Sequence, residues 1–173
     1  MVIDQDLETN APGIFAAGDV ASFLDPIFGE RRRIEHWDNA VQQGRLAARN
    51  MLGQSLRYDA VSYFFSDIGD LSFVFLGSTN GIDERIGRGS LEDRSFALFY
   101  LKNNVLRAAF SMGRPAAETR AIESLIRHRV DLRSLKAGLA DANFALDAIP
   151  TQTVLILQGG GGALSRRRGA CRQ

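Results

Sequence analysis

An apolar stripe along residues 36–52 is the feature that most restricts how the first third of this chain folds. Its members recur at the i, i+3, i+4 and i+7 spacing of one helical face: Trp37, Ala40, Val41, Gly44, Ala48, Met51 and Leu52. Such a stripe predicts an amphipathic helix over residues 36–52. Gly53 suits the position at which a helix ends. Because Gly44 and the alanines make the stripe narrow, we expect close packing against a neighbouring element.

A short apolar run, residues 14–17, precedes this helix and ends at Gly18-Asp19. A run of this length predicts a buried strand. At a strand end, glycine lets the backbone approach a ligand closely, and an aspartate accepts hydrogen bonds from hydroxyl groups. The same dipeptide is also typical of a simple turn. Residues 21–34 contain Pro26, Gly29 and three arginines, Arg31–Arg33, and predict an exposed loop.

Glu35, His36 and Trp37 stand where the predicted helix begins. The first turn of a helix presents free N–H groups and positive potential, which suit an anion or an electron-rich ring edge. An aromatic side chain there can stack on a flat ligand. Two simpler interpretations stay open: Trp37 lies on the apolar stripe and can be a core residue, and His36 can be a surface residue near the helix cap.

The sequence changes character after Gly53. Aromatic-rich runs at 71–76, 95–101 and 105–110 predict strands, and Asn103-Asn104 predicts a hairpin turn between the last two. Residues 77–89 predict a loop with a short strand inside it. Pro115 is predicted to open a helix, and Asp131 to cap a second, shorter one. The run 153–157 is strand-like, and the glycines and arginines after it predict a flexible basic tail.

Composition excludes several classes of function. A formal net charge of +1 selects neither nucleic acid nor an anionic membrane. The single cysteine, Cys171, allows no internal disulfide and no CxxC pair, so a reducing, cytoplasmic setting is expected. We find no signal peptide, and no apolar stretch approaches the roughly 18 to 20 residues that span a bilayer. We expect no membrane partner and no metal site.

Residues 9–20, TNAPGIFAAGDV, resemble the second FAD-contacting motif of the pyridine nucleotide-disulfide reductase superfamily. In that superfamily the motif aspartate accepts a hydrogen bond from the ribityl chain of the flavin, and Asp19 matches it. Residues 34–48, IEHWDNAVQQGRLAA, are similar to the helix that follows in one branch, which holds ferredoxin and rubredoxin reductases and apoptosis-inducing factor. By this resemblance Glu35, His36 and Trp37 lie at the flavin, or between flavin and nicotinamide.

The resemblance extends to about residue 145. Residues 63–67, YFFSD, look like the entry to the small C-terminal domain of that branch, where a tryptophan commonly occupies the place of Phe65 and packs beside the flavin. Phenylalanine can stack there but cannot donate a hydrogen bond. The resemblance implies no catalytic residue in this chain. The cofactor-binding residues that it implies are Gly18, Asp19, Glu35, His36, Trp37, Ala40 and Phe65.

The superfamily also binds FAD and NAD(P)H through two glycine-rich turns of the form GxGxxG. The nearest approach to such a turn is the glycine run at 159–162, which has no strand–turn–helix context. We therefore expect an α+β chain. Residues 1–57 would be the truncated end of an FAD-binding α/β domain, residues 58–148 a small domain of antiparallel sheet plus helices, and residues 149–173 an atypical strand and tail. Alone, the chain is expected to bind FAD weakly or not at all and to be inactive.

Two functions remain open at this stage. In the first, the chain is part of an FAD-dependent NAD(P)H oxidoreductase that passes electrons to a ferredoxin- or rubredoxin-type acceptor. The arginines at 31–33 would steer that acceptor, or would form an ordinary solvated loop. The absence of a His-Pro segment disfavours the disulfide-reducing members. In the second, the chain is a non-catalytic binding or oligomerisation module that can self-associate.

Overall fold

The computed structural model describes residues 1–151. In chain order its strands and helices are β1 (Ser22–Asp25), β2 (Glu30–Arg33), α1 (Trp37–Met51), β3 (Tyr63–Ile68), β4 (Leu71–Gly77), β5 (Glu84–Ser90), β6 (Ser95–Lys102), β7 (Val105–Met112), α2 (Ala116–His128) and α3 (Lys136–Ala140). Short 3-10 turns cover Gly18–Val20 and Leu146–Ala148. No helix among these residues is both long and apolar enough to cross a membrane. The predicted strand at 153–157 and the basic tail lie outside the described residues.

Strands β3 to β7 form one antiparallel sheet in the order β3-β4-β7-β6-β5. The α+β prediction is confirmed, and the three aromatic-rich runs are strands. Asn103 and Asn104 form the predicted two-residue turn between β6 and β7, both with positive φ, as such hairpin turns require. The segment 77–89 contains the short strand that was predicted inside its loop, because β5 (Glu84–Ser90) pairs with β6 along seven residues.

One face of this sheet packs against α2 and α3. The alternation of side chains along each strand places one set of apolar residues on this face. The resulting core consists mainly of Leu76, Phe99, Leu101, Leu106, Ile122, Leu125, Ile126, Leu132 and Leu139, each at most 1% exposed. The opposite face carries partly buried aromatic rings, and Phe110 contacts both Phe73 and Phe96 at centroid distances of 5.6 and 6.0 Å.

A second, smaller core forms around β1, β2 and α1. Its buried members are Ile3, Leu7, Ala16, Ala21, Phe23, Ile34, Ala47 and Tyr58. The helix predicted at 36–52 is confirmed as α1. The prediction of a buried strand at 14–17 is wrong, because only Phe15 makes a single isolated bridge and Ile14 is exposed. The second short helix begins at Lys136, and Asp131 caps only the preceding turn, through Arg133 N–H.

The packed side of α1 is not the predicted apolar stripe. Trp37, Met51 and Leu52 are 74%, 61% and 81% exposed, and the buried residues of the helix are Asn39, Gln43, Ala47 and Asn50. The side-chain amides bind the irregular segments around the helix. Asn50, for example, donates to the carbonyls of Asp6 and Leu56 and accepts from Leu56 N–H. Buried backbone groups need partners, and here polar side chains of the helix supply them.

Residues 21–34 are a β-hairpin and not the predicted exposed loop. β1 pairs with β2 from Ser22–Arg33 to Asp25–Glu30. Asp25 is 1% exposed and organises the hairpin end, because its Oδ1 accepts hydrogen bonds from the backbone N–H groups of Ile27 and Phe28. Ile27 belongs to the large core of the sheet, so the hairpin end inserts into the second half of the molecule.

A charged network fixes this joint between the hairpin and the sheet. Arg32 donates to Asp25 Oδ2 at 2.9 Å and to the Gly77 carbonyl at 3.0 Å. The Phe28 ring lies between two guanidinium groups, with Arg32 and Arg107 at 5.0 and 4.6 Å from its centroid. Gly77 has a φ of +85°, and a Cβ there would lie 2.1 Å from the Arg107 carbonyl oxygen, so no other residue fits at this crossing.

Candidate functional site

Gly18 lies directly against α1. Its φ is +73°, and a Cβ at this position would stand 3.1 Å from Ala40 Cβ. Its N–H donates to Oε1 of Gln43 at 2.8 Å. Glycine at 18 and a small residue at 40 therefore let the turn approach the helix, and they leave Asp19 exposed beside it.

The start of α1 and strand β3 enclose one cleft of about 140 Å³. Four of the predicted site residues line it: Glu35, His36, Trp37 and Phe65. Trp37 is 74% exposed and Phe65 51% exposed, so two aromatic faces are open to solvent at its mouth. The structure thus brings together residues that are far apart in the sequence, and Gly18, Asp19 and Ala40 lie at the neighbouring contact of the 18–20 turn with α1.

His36 links these two groups of residues. It is the residue immediately before α1, in extended backbone conformation, and its ring lies 4.8 Å from the ring of Phe64. Burial lowers the pKa of His36, the charge of Arg32 lowers it further, and the charge of Asp19 opposes the shift. The imidazole is therefore neutral at pH 7. Its Nδ1 is buried and has no hydrogen-bond partner among the described residues.

The first turn of α1 adds positive potential to the cleft. No side chain caps this helix start. The free N–H groups of a first turn act as hydrogen-bond donors and carry a partial positive charge. Glu35 stands at the edge of the cleft, where it pairs with Arg33 at 2.5 Å. The cleft thus offers flat apolar surfaces and backbone donors. The imidazole at its wall has a buried nitrogen without a hydrogen-bond partner among the described residues.

Gln43 and Phe64 were not among the predicted site residues. Gln43 is fully buried, holds Gly18 through Oε1, and leaves its Nε2 without a partner among the described residues. A signal for it existed, because Asn39, Gln43 and Asn50 recur at helical spacing opposite the apolar stripe. Within residues 1–151 no group of three or more His, Cys, Asp or Glu side chains could hold a metal ion.

Two known protein families match parts of this chain. The family described as Reductase C-terminal matches residues 63–149, and the family described as Pyridine nucleotide-disulphide oxidoreductase matches residues 1–44. This chain belongs to the reductase C-terminal family. The match of residues 1–44 ends within α1 and the match of residues 63–149 begins at β3, so the two elements that enclose the cleft fall in different family matches.

Individual relatives support this membership. The chain is 35% identical over 130 residues to Apoptosis-inducing factor 3 of Mus musculus, which covers 73% of this chain and 21% of that protein. It is 34% identical over 115 residues to Putidaredoxin reductase CamA of Pseudomonas putida, which covers 66% of this chain and 27% of that protein. The solved ferredoxin reductase of Rhodopseudomonas palustris superposes with a TM-score of 0.75 at 34% identity, covering 84% of this chain and 35% of that one. The chain therefore spans about a fifth to a third of the length of these proteins.

Proposed function

We propose that this chain forms the flavin-facing wall of an FAD-dependent NAD(P)H reductase. The observation that carries the proposal is the cleft itself, in which Glu35, His36 and Trp37 meet Phe65. Membership in a family of pyridine nucleotide-dependent flavoproteins supports FAD and NAD(P)H as the cofactors. The division of the chain into a unit of residues 1–57 and a unit of residues 58–148 is part of the same proposal. The two apolar cores support it in outline, but Ile27 packs in the large core and Tyr58 in the small one.

The residues present fit a flavin ring and its ribityl chain. Trp37 and Phe65 offer exposed aromatic faces on which a flat ring stacks. The helix start offers N–H donors that suit the polar edge of a heterocycle, and His36 Nδ1 beside it is buried without a partner among the described residues. Asp19 is exposed next to Gly18, where a carboxylate accepts hydrogen bonds from ribityl hydroxyls.

The chemistry divides between cofactor and chain. When bound, a flavin supplies the electron transfer between a nicotinamide and a one-electron acceptor. The residues of this chain orient the ring, exclude water from one side of it and hold positive potential near its polar edge. His36 stays neutral at pH 7, so it acts as a hydrogen-bonding group there and not as a fixed charge.

We propose a ferredoxin- or rubredoxin-type protein as the electron acceptor of the whole enzyme. Two of the relatives are a putidaredoxin reductase and a ferredoxin reductase by name. Arg33 is exposed beside Glu35 at the edge of the cleft, Arg31 is exposed on the same strand, and both can attract an acidic partner. Arg32 does not share this role, because its guanidinium is bound within the joint to Asp25 and Gly77.

The single tryptophan of the chain makes the flavin proposal testable. Riboflavin is titrated into the protein while Trp37 emission is followed, with correction for absorbance by the ligand. We expect saturable quenching, weak because the cleft contacts only one side of the ring, and a clear loss of affinity in Phe65→Ala. Leu52→Ala, a change of another exposed apolar residue at the far end of α1, is the control and should titrate like the parent. Quenching that rises linearly without saturation, or is equal in all three proteins, would count against the site.

A second candidate function, a binding or oligomerisation module, is favoured by exposed apolar surface. The exposed large hydrophobic residues within the first 52 positions are Met1, Val2, Ile14, Val20, Leu24, Trp37, Met51 and Leu52. Such surface favours association. Light scattering over a hundredfold concentration range separates the two candidates, because a module that works by self-association yields a dimer or larger species at micromolar concentration.

A further inference from the structure

A cavity of about 190 Å³ lies at the joint between the hairpin end and the sheet. Phe28 of the hairpin end and Ile126 of α2 provide part of its apolar wall. Its charged lining consists of three cations, Lys102, Arg107 and Arg129. A single water molecule needs only about 10–15 Å³. The cavity is therefore large enough to hold a small polyatomic ligand together with bound water.

The Arg107 guanidinium is the least exposed of the three cationic groups. Its side chain is only 13% exposed, and its nearest carboxylate oxygen, from Glu30, lies 3.9 Å away. That separation exceeds a hydrogen bond. Its Nε is buried without a partner, and no acceptor for its other N–H groups occurs among the described residues. Its main contact is the ring of Phe28 at 4.6 Å.

The positive charge of Arg107 is only partly balanced by nearby carboxylates. Glu30 accepts hydrogen bonds from Ser78 Oγ at 2.8 Å and from Asn80 Nδ2 at 3.3 Å, so much of its bonding capacity is used elsewhere. Burial lowers the pKa of Arg107, Glu30 opposes this shift, and the nearby charge of Arg129 adds to it. No ion pair within 4 Å involves Lys102 or Arg129 in the part of the chain that the structure describes. Among the described residues Arg107 thus has one carboxylate within 4 Å, that of Glu30, and this carboxylate is already engaged by Ser78 and Asn80.

We propose that this cavity binds a dianionic oxyanion of the phosphate class. Guanidinium groups present planar pairs of N–H donors that match phosphate oxygens, and such charge-assisted hydrogen bonds are the strong ones. A phosphate offers several acceptor oxygens to the lining cations Lys102, Arg107 and Arg129, whereas a monocarboxylate offers only two. The site lies between the hairpin and the sheet, so its occupation ties the two halves of the molecule together.

Calorimetric titration of the 173-residue protein with inorganic phosphate at pH 7.5 and fixed ionic strength tests the proposal. We expect one saturable site, with acetate much weaker under matched conditions. Arg129→Asn and Lys102→Gln each remove one cation and should weaken phosphate binding roughly tenfold. Asparagine tolerates the φ of +52° at position 129. Arg120→Asn, an exposed arginine of the same helix, is the control and should leave binding unchanged.

Four results would overturn the assignment. Two concern the ligand: no saturable heat with phosphate, or acetate binding as tightly as phosphate. Two concern the variants: phosphate binding that survives in both Arg129→Asn and Lys102→Gln, or equal weakening in Arg120→Asn, which would show a response to overall charge. Circular dichroism establishes that each variant is folded, and Lys102 is exposed, so Lys102→Gln tests the site without disturbing the core. Riboflavin carries no phosphate, so failure of the flavin proposal leaves this result unaffected, and the reverse holds.

Discussion

Replacement of Arg32 by methionine should destabilise the protein strongly, although the same change at Arg31 or Arg33 should not. The three arginines are adjacent in β2, but only Arg32 points into the joint, where its side chain is 15% exposed and pairs with Asp25, which is 1% exposed. Arg33 is 59% exposed. Methionine keeps much of the side-chain volume, so the change removes charge and hydrogen bonds more than packing.

The magnitude follows from the contacts that are lost. Breaking a buried ion pair by removal of one partner costs about 3–5 kcal/mol, because the other charge stays buried. Asp25 keeps two backbone N–H donors, which reduces this cost. The substitution also removes the hydrogen bond from Arg32 to the Gly77 carbonyl. In addition it removes the cation–π contact of the guanidinium with the Phe28 ring, which is worth about 0.5–1 kcal/mol or more. We expect a total of about 3–4 kcal/mol, out of about 5–15 kcal/mol for a typical domain.

Urea unfolding measures this loss, with circular dichroism and Trp37 fluorescence as separate probes. Arg33→Met is the matched control and should change the unfolding free energy by less than about 0.5 kcal/mol. The double variant Asp25→Asn/Arg32→Met removes the orphaned charge and should be more stable than Arg32→Met alone. An Arg32→Met protein within about 1 kcal/mol of Arg33→Met would refute the reasoning that the joint depends on this pair.

Two further predictions concern a second buried arginine and the histidine of the cleft. Arg88 is 2% exposed, pairs with Glu118 at 2.9 Å and donates to backbone carbonyls between residues 138 and 144. Arg88→Met should therefore lower the free energy of unfolding in urea by about 3–5 kcal/mol. The same change at the exposed Arg85 of the same strand should lower it little, and equal losses would contradict this reasoning. Burial depresses the pKa of His36, so its contribution to stability is fully present above the ordinary value of 6.5 and is lost as pH falls through the folded pKa. His36→Asn should therefore flatten the pH dependence of the unfolding free energy between about pH 7.5 and 5; a profile identical to that of the parent protein would exclude this origin.

Much of the second half of the molecule could be predicted from local pattern. Strands β4, β6 and β7, the Asn103-Asn104 turn and the helix after Pro115 follow from alternation, turn chemistry and proline geometry. These signals depend on neighbours in the sequence, which is why they can be read without a fold. Strand β5 was predicted only as a short strand within a loop, because its glycines and charges, as at Gly87 and Arg88, are typical of a loop; pairing with β6 makes it seven residues long.

The sequence by itself determined that α1 is a helix and that Trp37 stands at its start, but only the tertiary structure decided which side of that helix is buried. The amides of Asn39, Gln43 and Asn50 face inward because irregular backbone around them needs hydrogen-bond partners. The cleft likewise depends on long-range contacts: the hairpin end inserts Ile27 into the large core and thereby sets α1 against β3. The periodicity of apolar residues does not predict these contacts, because they join segments that are far apart in the sequence.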